Sequence, residues 1–424
     1  MSRPSRMLIT PWRAVLLVAV AATLTAVPNR AEPLPARLLS LPGVQAAVHD
    51  ADLSLDSFVQ EWIRIAEIPA PSGREGRRAD YLEGRFRQLG LHPVWRDQAG
   101  NVIGLMQGRD QTLKRVAFLA HMDTVAPEEA NHTVRRLPGR LSAPGVRDDS
   151  SGLAALLAAV ELMKRHALTP EADTLMVASA SEEVGLVGAE RFVADHGEQV
   201  GALVAVDGHL GQISYGATGI VWLKLHFRAG GAHTLKAHER PSAVLAAARA
   251  IERIHAVPLH RTPERLETWL NVGMLGGGEV PNAQARDAWF TVDLRSNDSG
   301  SLQELETKVL EIGRESARDV GVEFDPETMH RMAGTSRPGM EDSALVRSAR
   351  TVLEALAWDR VDLTPRGTAD HNAALAKGIP AIAIGVTTGD GAHTPEEYAD
   401  IAPFPTGVKQ ILLLALMPLT DRES

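Results

Sequence analysis

His121 and Asp123, Glu182 and Glu183, Asp207, and His393 each stand where a short apolar run gives out, and Asp148 with Asp149 opens an apolar helical stretch behind a glycine-flanked loop. Imidazole and carboxylate are the nitrogen and oxygen donors that hold zinc and similar divalent ions. In an open α/β sheet, ligands gather at the carboxyl ends of the strands. Donors ending several such strands therefore predict a pair of zinc-like ions and metal-assisted hydrolysis. The chain contains no cysteine. Thiolate catalysis, disulfides and cysteine zinc sites are thereby excluded, and any metal must be held by nitrogen and oxygen.

The pairs suggest a division of labour. Residues two apart in an extended segment face the same way, so of His121 and Asp123 one can bind metal while the other accepts the imidazole's second N–H. Adjacent carboxylates repel, and burying both Asp148 and Asp149 is unfavourable without cations. Asp149 stands near the N-cap of the helix that follows, which leaves Asp148 as the candidate to bridge two ions. Of Glu182 and Glu183, one can ligate metal while the other shuttles a proton. Asp207 repeats the pattern after an apolar run at 202–206, and His393 sits in a loop whose glycines let the backbone approach a site closely. Each residue alone has an ordinary reading as a strand-end histidine, turn aspartate, helix cap or solvated pair. Donors at four separate strand ends favour a site. Gly276-Gly277-Gly278 lacks the lysine and serine of a phosphate loop, and no Gly-x-Ser-x-Gly elbow occurs.

Apolar runs at 116–120, 175–180, 202–206 and 380–385 are buried strands, separated by helical spacing at 150–167, around 189–194, at 342–357 and from 370. Strands apolar throughout and alternating with helices predict an α/β fold, a mostly parallel sheet flanked by helices. Near Gly219 the pattern changes. Val221, Leu223, Leu225 and Phe227 alternate with polar residues, and the following segments predict the order β-α-β-β-α-β, an inserted ferredoxin-like α+β unit. Its second helix is expected to open on a capping box of Ser301 and Glu304, and its last strand to lie at 321–324. The expected division is a catalytic domain at 45–218, an inserted domain at 219–327, and the rest of the catalytic domain at 328–424.

The net charge of −9 argues against nucleic-acid binding through a basic surface. Arg3, Arg6 and Arg13 precede an apolar run at 14–27 that is short for a membrane span. A signal peptide over 1–31 is therefore expected, cleaved after Ala31, with export to the periplasm or medium. The alternative is an uncleaved anchor, the one reading that places the chain at a membrane.

His121-Met122-Asp123-Thr124, the run from Gly145 to Gly152, Ser181-Glu182-Glu183-Val184-Gly185, Val206-Asp207 and the run from Ala392 to Tyr398 resemble, in the same order, the motifs of a zinc-dependent exopeptidase family. That family includes peptidase T, carboxypeptidase G, aminoacylase and succinyl-diaminopimelate desuccinylase. The resemblance implies two zinc ions, replaceable by cobalt or manganese. Asp148 would bridge them, His121 and Asp207 completing one and Glu183 and His393 the other. Asp123 would orient His121, and Glu182 would serve as general base toward water attacking an amide carbonyl. A cis peptide after the bridging aspartate is also implied. The inserted domain resembles the family's lid and dimerisation domain, so a homodimer is expected, with His233 reaching the partner's site as oxyanion stabiliser and Asn282 and Arg295 holding substrate. His371 stands where the family commonly has a small residue. The expected activity is cleavage of a small peptide next to a free terminus, in the manner of peptidase T or of a carboxypeptidase or dipeptidase. The alternatives are an N-acyl- or N-carbamoyl-amino-acid amidohydrolase, and a catalytically silent binding protein on the same fold.

Overall fold

The structure, a computed structural model, describes residues 33–261, 267–332, 334–335 and 339–420. The leader expected at 1–31 lies outside the described residues. An eight-stranded sheet runs in the order 94–96, 102–106, 174–179, 115–121, 200–205, 381–384, 212–214, 362–364, and its four central strands, 174–179 to 381–384, are parallel. Both faces of these strands are buried. Val116, Phe118, Ala120, Ala202 and Val204 enter one core, while Ala117, Leu119, Leu203 and Ala205 enter the other. Such double burial is why the strands read as unbroken apolar runs. The antiparallel pair 94–96 and 102–106 and the short strands 212–214 and 362–364 were not foreseen. They are three to five residues long and lack a periodic signature of their own.

The helix Ser150–Arg165 fills one face, buried along nearly its whole length. Phe404, at the start of the helix Phe404–Ala415, stacks on Trp62 of the helix Leu55–Ala66 at 4.7 Å. The Trp62 indole N–H also donates to the Val146 carbonyl at 2.6 Å. A core aromatic thus fastens the loop that leads to Asp148.

The inserted domain is a four-stranded antiparallel sheet in the order 268–277, 287–296, 219–228, 323–332, the ferredoxin-like order. Val221, Leu223, Leu225 and Phe227 pack on its two helices, Ala243–His255 and Ser299–Val320. Two expectations are corrected. The second helix begins at Ser299, and its cap is Asp298, whose carboxylate accepts from the Ser301 N–H at 2.7 Å; Ser301 lies inside the helix, so no Ser301–Glu304 capping box forms. The last strand runs from Glu323 to Met332 rather than ending near 324, which carries the domain past 327. It is a mostly exposed edge strand with Pro326 in its midst, so no apolar alternation marks its length.

Trp62→Ala should therefore destabilise the protein by about 3–5 kcal/mol. Trp62→Phe, which keeps the stacking and loses the hydrogen bond, should cost about 1 kcal/mol. Urea unfolding of the two variants beside the parent chain measures both.

Candidate metal centre

His121 is the last residue of its strand; Glu182 and Glu183 follow the parallel neighbour 174–179 and Asp207 follows the parallel neighbour 200–205, while Asp148 heads the helix Ser150–Arg165 and His393 lies in the loop after strand 389–390. The His121 Nε2 lies 2.9 Å from Asp148 Oδ1, and the His393 Nε2 lies 3.4 Å from Asp148 Oδ2 and 3.0 Å from Glu183 Oε2. Each oxygen of Asp148 thus faces a different imidazole. Ligand atoms of His121, Asp148 and Glu183 all fall within 4.8 Å of one another. Glu183 Oε1 is buried without a hydrogen-bond partner among the described residues. A buried orphan oxygen beside two imidazoles and a second carboxylate fits a divalent cation.

The electrostatics carry the same message. Burial opposes charge on His121, yet its hydrogen bonds to Asp123 and Asp148 hold its pKa well above the ordinary value. Hydrogen bonds to Asp148 and Glu183 raise His393 to about 10. Burial pushes the Asp207 carboxyl up to about 7, with the charge of Asp148 adding to it. Burial likewise raises Glu182 well above the carboxylate range; His121 opposes this, while Asp207, Asp370 and Glu183 reinforce it. Acids that hold protons and imidazoles that keep them are a site short of cations.

Buried polar groups hold this arrangement in place. The His121 Nδ1 lies 3.0 Å from the Asp123 carbonyl oxygen and 3.4 Å from its carboxylate, leaving Nε2 toward Asp148. The Asp123 carboxylate accepts from the backbone N–H groups of Glu182 and Glu183 at 2.9 and 3.1 Å, and from the Ser72 hydroxyl at 2.7 Å. One side chain therefore registers the glutamate loop against the histidine strand. Asp149 caps the helix through the Gly152 N–H and accepts from the His121 N–H, each at 3.0 Å. The Asp148–Asp149 peptide is cis, as the resemblance implied. Ser181 and His393 adopt φ of 54° and 66°, a left-handed conformation that non-glycine residues keep only where surroundings impose it.

Several contributors escaped the sequence. The Glu397 carboxylate accepts from the N–H groups of Gly145 and Arg147 at 2.7 Å and of Asp148 at 2.9 Å, and so shapes the loop that presents Asp148. In Pro395-Glu396-Glu397 it looks like surface charge. Arg78 is fully buried and donates to the Met122 carbonyl at 2.8 Å and the Ile68 carbonyl at 2.6 Å. Burial lowers its pKa to about 10, which still leaves a cation beneath Asp123 and Asp149. Asp370, buried and raised to about 6 by that burial, accepts from the Ser179 hydroxyl with one oxygen; the other has no partner among the described residues. In the sequence it stands only at the start of a helical stretch, and its side chain makes no cap bond.

The three residues expected from the inserted domain lie on that domain, and the expected reach of His233 is into a partner's site. His233 and Asn282 are exposed and adjacent, the Thr234 N–H donating to the Asn282 carbonyl at 3.1 Å. The Arg295 guanidinium is taken by Asp293, from Nε to both carboxylate oxygens at 3.2 and 3.1 Å. Among the described residues, no hydrogen bond or ion pair joins any of them to the cluster.

His371 is fully buried, its Nε2 3.1 Å from the Gly216 carbonyl, and burial lowers its pKa to about 4. Above pH about 6.5 both folded and unfolded states hold this ring neutral. As the pH falls toward 4 only the unfolded state gains the proton, so stability drops, by about 3 kcal/mol from this residue. His371→Gln should remove that component. Urea unfolding of both proteins at pH 7 and pH 4.5 measures the difference.

The model of the peptidase family M20/M25/M40 matches residues 117–417. A succinyl-diaminopimelate desuccinylase of Corynebacterium glutamicum is 26% identical over 350 residues, covering 80% of this chain and 90% of its own. The aminopeptidase PepT of Bacillus cereus superposes with a TM-score of 0.72 at 22% identity, over 85% of this chain and 97% of its own. YxeP of Bacillus subtilis, described as a dinuclear metal binding peptidase, gives 0.65 at 14% identity, over 86% and 98%. Family match, fold and donor cluster agree: the chain belongs to peptidase family M20/M25/M40, and is a hydrolase acting on peptide or amide bonds.

Proposed function

We propose that the protein cleaves a peptide bond next to a free terminus of small peptides, using two zinc ions bridged by Asp148. The observation that carries this reading is the division of the Asp148 carboxylate between His121 and His393. His121 and Asp207 would hold one ion, and Glu183 and His393 the other. The PepT and dinuclear-peptidase likenesses support both the substrate and the metal count. Zinc at this position supplies Lewis acidity, lowering the pKa of water and polarising a carbonyl oxygen. The chain's own residues do the rest. Glu182 is buried, and its backbone N–H is anchored on Asp123. Its pKa, raised by burial, suits a base that takes a proton from water and passes it to the leaving amine. The desuccinylase relative favours one second reading, hydrolysis of an N-acyl amino acid by the same residues.

Two further proposals concern assembly and location. In the inserted domain, the edge strand 268–277 exposes Met274 and Leu275 by 58% and 67%, and the neighbouring helix exposes Val244 and Leu245. An unpaired edge beside apolar side chains suits self-association, which supports a homodimer, to be read by sedimentation. The charged and apolar leader supports export to the periplasm or medium, to be read by fractionation and the mature amino terminus.

The purified protein should hydrolyse tripeptides, lose that activity to a chelator and regain it with zinc or cobalt. Glu182→Gln should lower kcat by at least about 10²-fold while zinc content stays that of the parent. Near-parental turnover of this variant would overturn the mechanism. Comparing tripeptides with N-acetyl and N-succinyl amino acids separates the two substrate classes.

A further inference from the structure

A cavity of about 490 Å³ opens beside Asp148, Glu183 and His393, a volume typical of small-molecule sites. Its side walls include Ala126, Pro127, Ala143 and Pro144, small and apolar. Thr124 also lines it. This threonine follows directly on the His121–Asp123 segment and is 2% exposed, and its hydroxyl has no hydrogen-bond partner among the described residues. A buried hydroxyl without a partner is costly, and a ligand in the cavity would supply one. Gly145, at φ +70°, makes the close approach needed here, since a Cβ on it would stand 2.3 Å from the Thr124 methyl.

The remaining charged lining group outside the carboxylate cluster is Arg135. It donates to the Ser142 hydroxyl at 3.0 Å, and among the described residues it has no carboxylate partner. Arg135 and Ser142 face one another across the hairpin 135–142, whose second strand pairs with 398–400. Arg140 secures that pairing by stacking over Tyr398 at 4.2 Å and bonding Asp400 at 2.8 Å. The hairpin that carries this exposed guanidinium is therefore held in place. Asp148 and Glu183 bring negative charge to one part of the cavity, so a second anion is accommodated by Arg135 and away from them.

We propose that this cavity is the pocket that selects the substrate, and that it takes a group with a bulky apolar stem ending in a carboxylate, the stem against the alanine and proline walls and the carboxylate on Arg135. Thr124 is a positioning residue that hydrogen-bonds the bound substrate beside the reacting amide. The inference rests on the hydrolase reading above.

Tripeptides with phenylalanine, 4-carboxyphenylalanine or 4-(aminomethyl)phenylalanine on either side of the scissile bond, set beside triglycine, test it. At one of the two positions the zinc-loaded protein should prefer the carboxylate-tipped side chain over phenylalanine, and phenylalanine over the amine. Arg135→Gln should lower the carboxylate-to-phenylalanine ratio of kcat/KM by about tenfold. Ala130→Trp, which fills the cavity, should reduce all three relative to triglycine. Thr124→Val should raise KM and leave the order of preference intact. Equal turnover of the three peptides, or a ratio unmoved by Arg135→Gln, would overturn the proposal. Calorimetric binding of N-acetyl-4-carboxyphenylalanine separates it from the hydrolase reading. Binding weakened by Arg135→Gln without hydrolysis of any peptide supports the pocket and refutes the proposed peptide cleavage, while absence of both overturns the two together.

Discussion

Carboxylates crowded into a buried space raise one another's proton affinity unless cations stand among them, and that repulsion governs the centre of this protein. Asp148, Asp149, Glu182, Asp207 and Asp370 all lie in one buried region, and burial pushes four of the five toward their protonated forms. The exception is Asp148, whose pKa is held far below the ordinary range, against burial, by hydrogen bonds to His121 and His393. A cluster of this kind is difficult to explain as a device for stability, because unpaired buried charge opposes folding. It is explicable as a receptacle for positive charge.

The fold answers the repulsion with geometry. Four parallel strands deliver their carboxyl ends to one edge, and the doubly buried sheet behind them leaves those ends little freedom. The loops that follow are then tied by anions and a cation already within the chain. Asp123 holds the glutamate loop, Glu397 holds the loop before Asp148, Asp149 caps the central helix, and Arg78 supports the histidine segment from below. These residues act through others, which is how outer partners orient metal ligands in general. Ion affinity, base position and cavity shape all descend from the same few bonds, since Thr124 and Asp148 adjoin the segments that Asp123 and Glu397 fix.

Much of this was legible from the chain. Short apolar runs ending in His121, Glu182, Asp207 and His393 stand out because a doubly covered parallel strand tolerates no polar residue before its end. The change to one-sided alternation at Val221 marked the inserted sheet for the opposite reason. Residues that work through backbone groups stayed hidden. Glu397, Arg78 and Asp370 acquire their roles from partners 191 to 252 positions away or from carbonyls that carry no side-chain signal, and charged residues beside turns look alike in sequence.

The measurement that bears most directly on the central claim is zinc X-ray absorption on the metal-loaded protein, combined with metal analysis. Two ions per chain are expected, with nitrogen and oxygen ligands at about 2.0–2.2 Å and a metal–metal vector of about 3.5–4 Å that vanishes in Asp148→Ala. Zinc bound at one or fewer per chain, or a pair of ions unaffected by loss of Asp148, would contradict it.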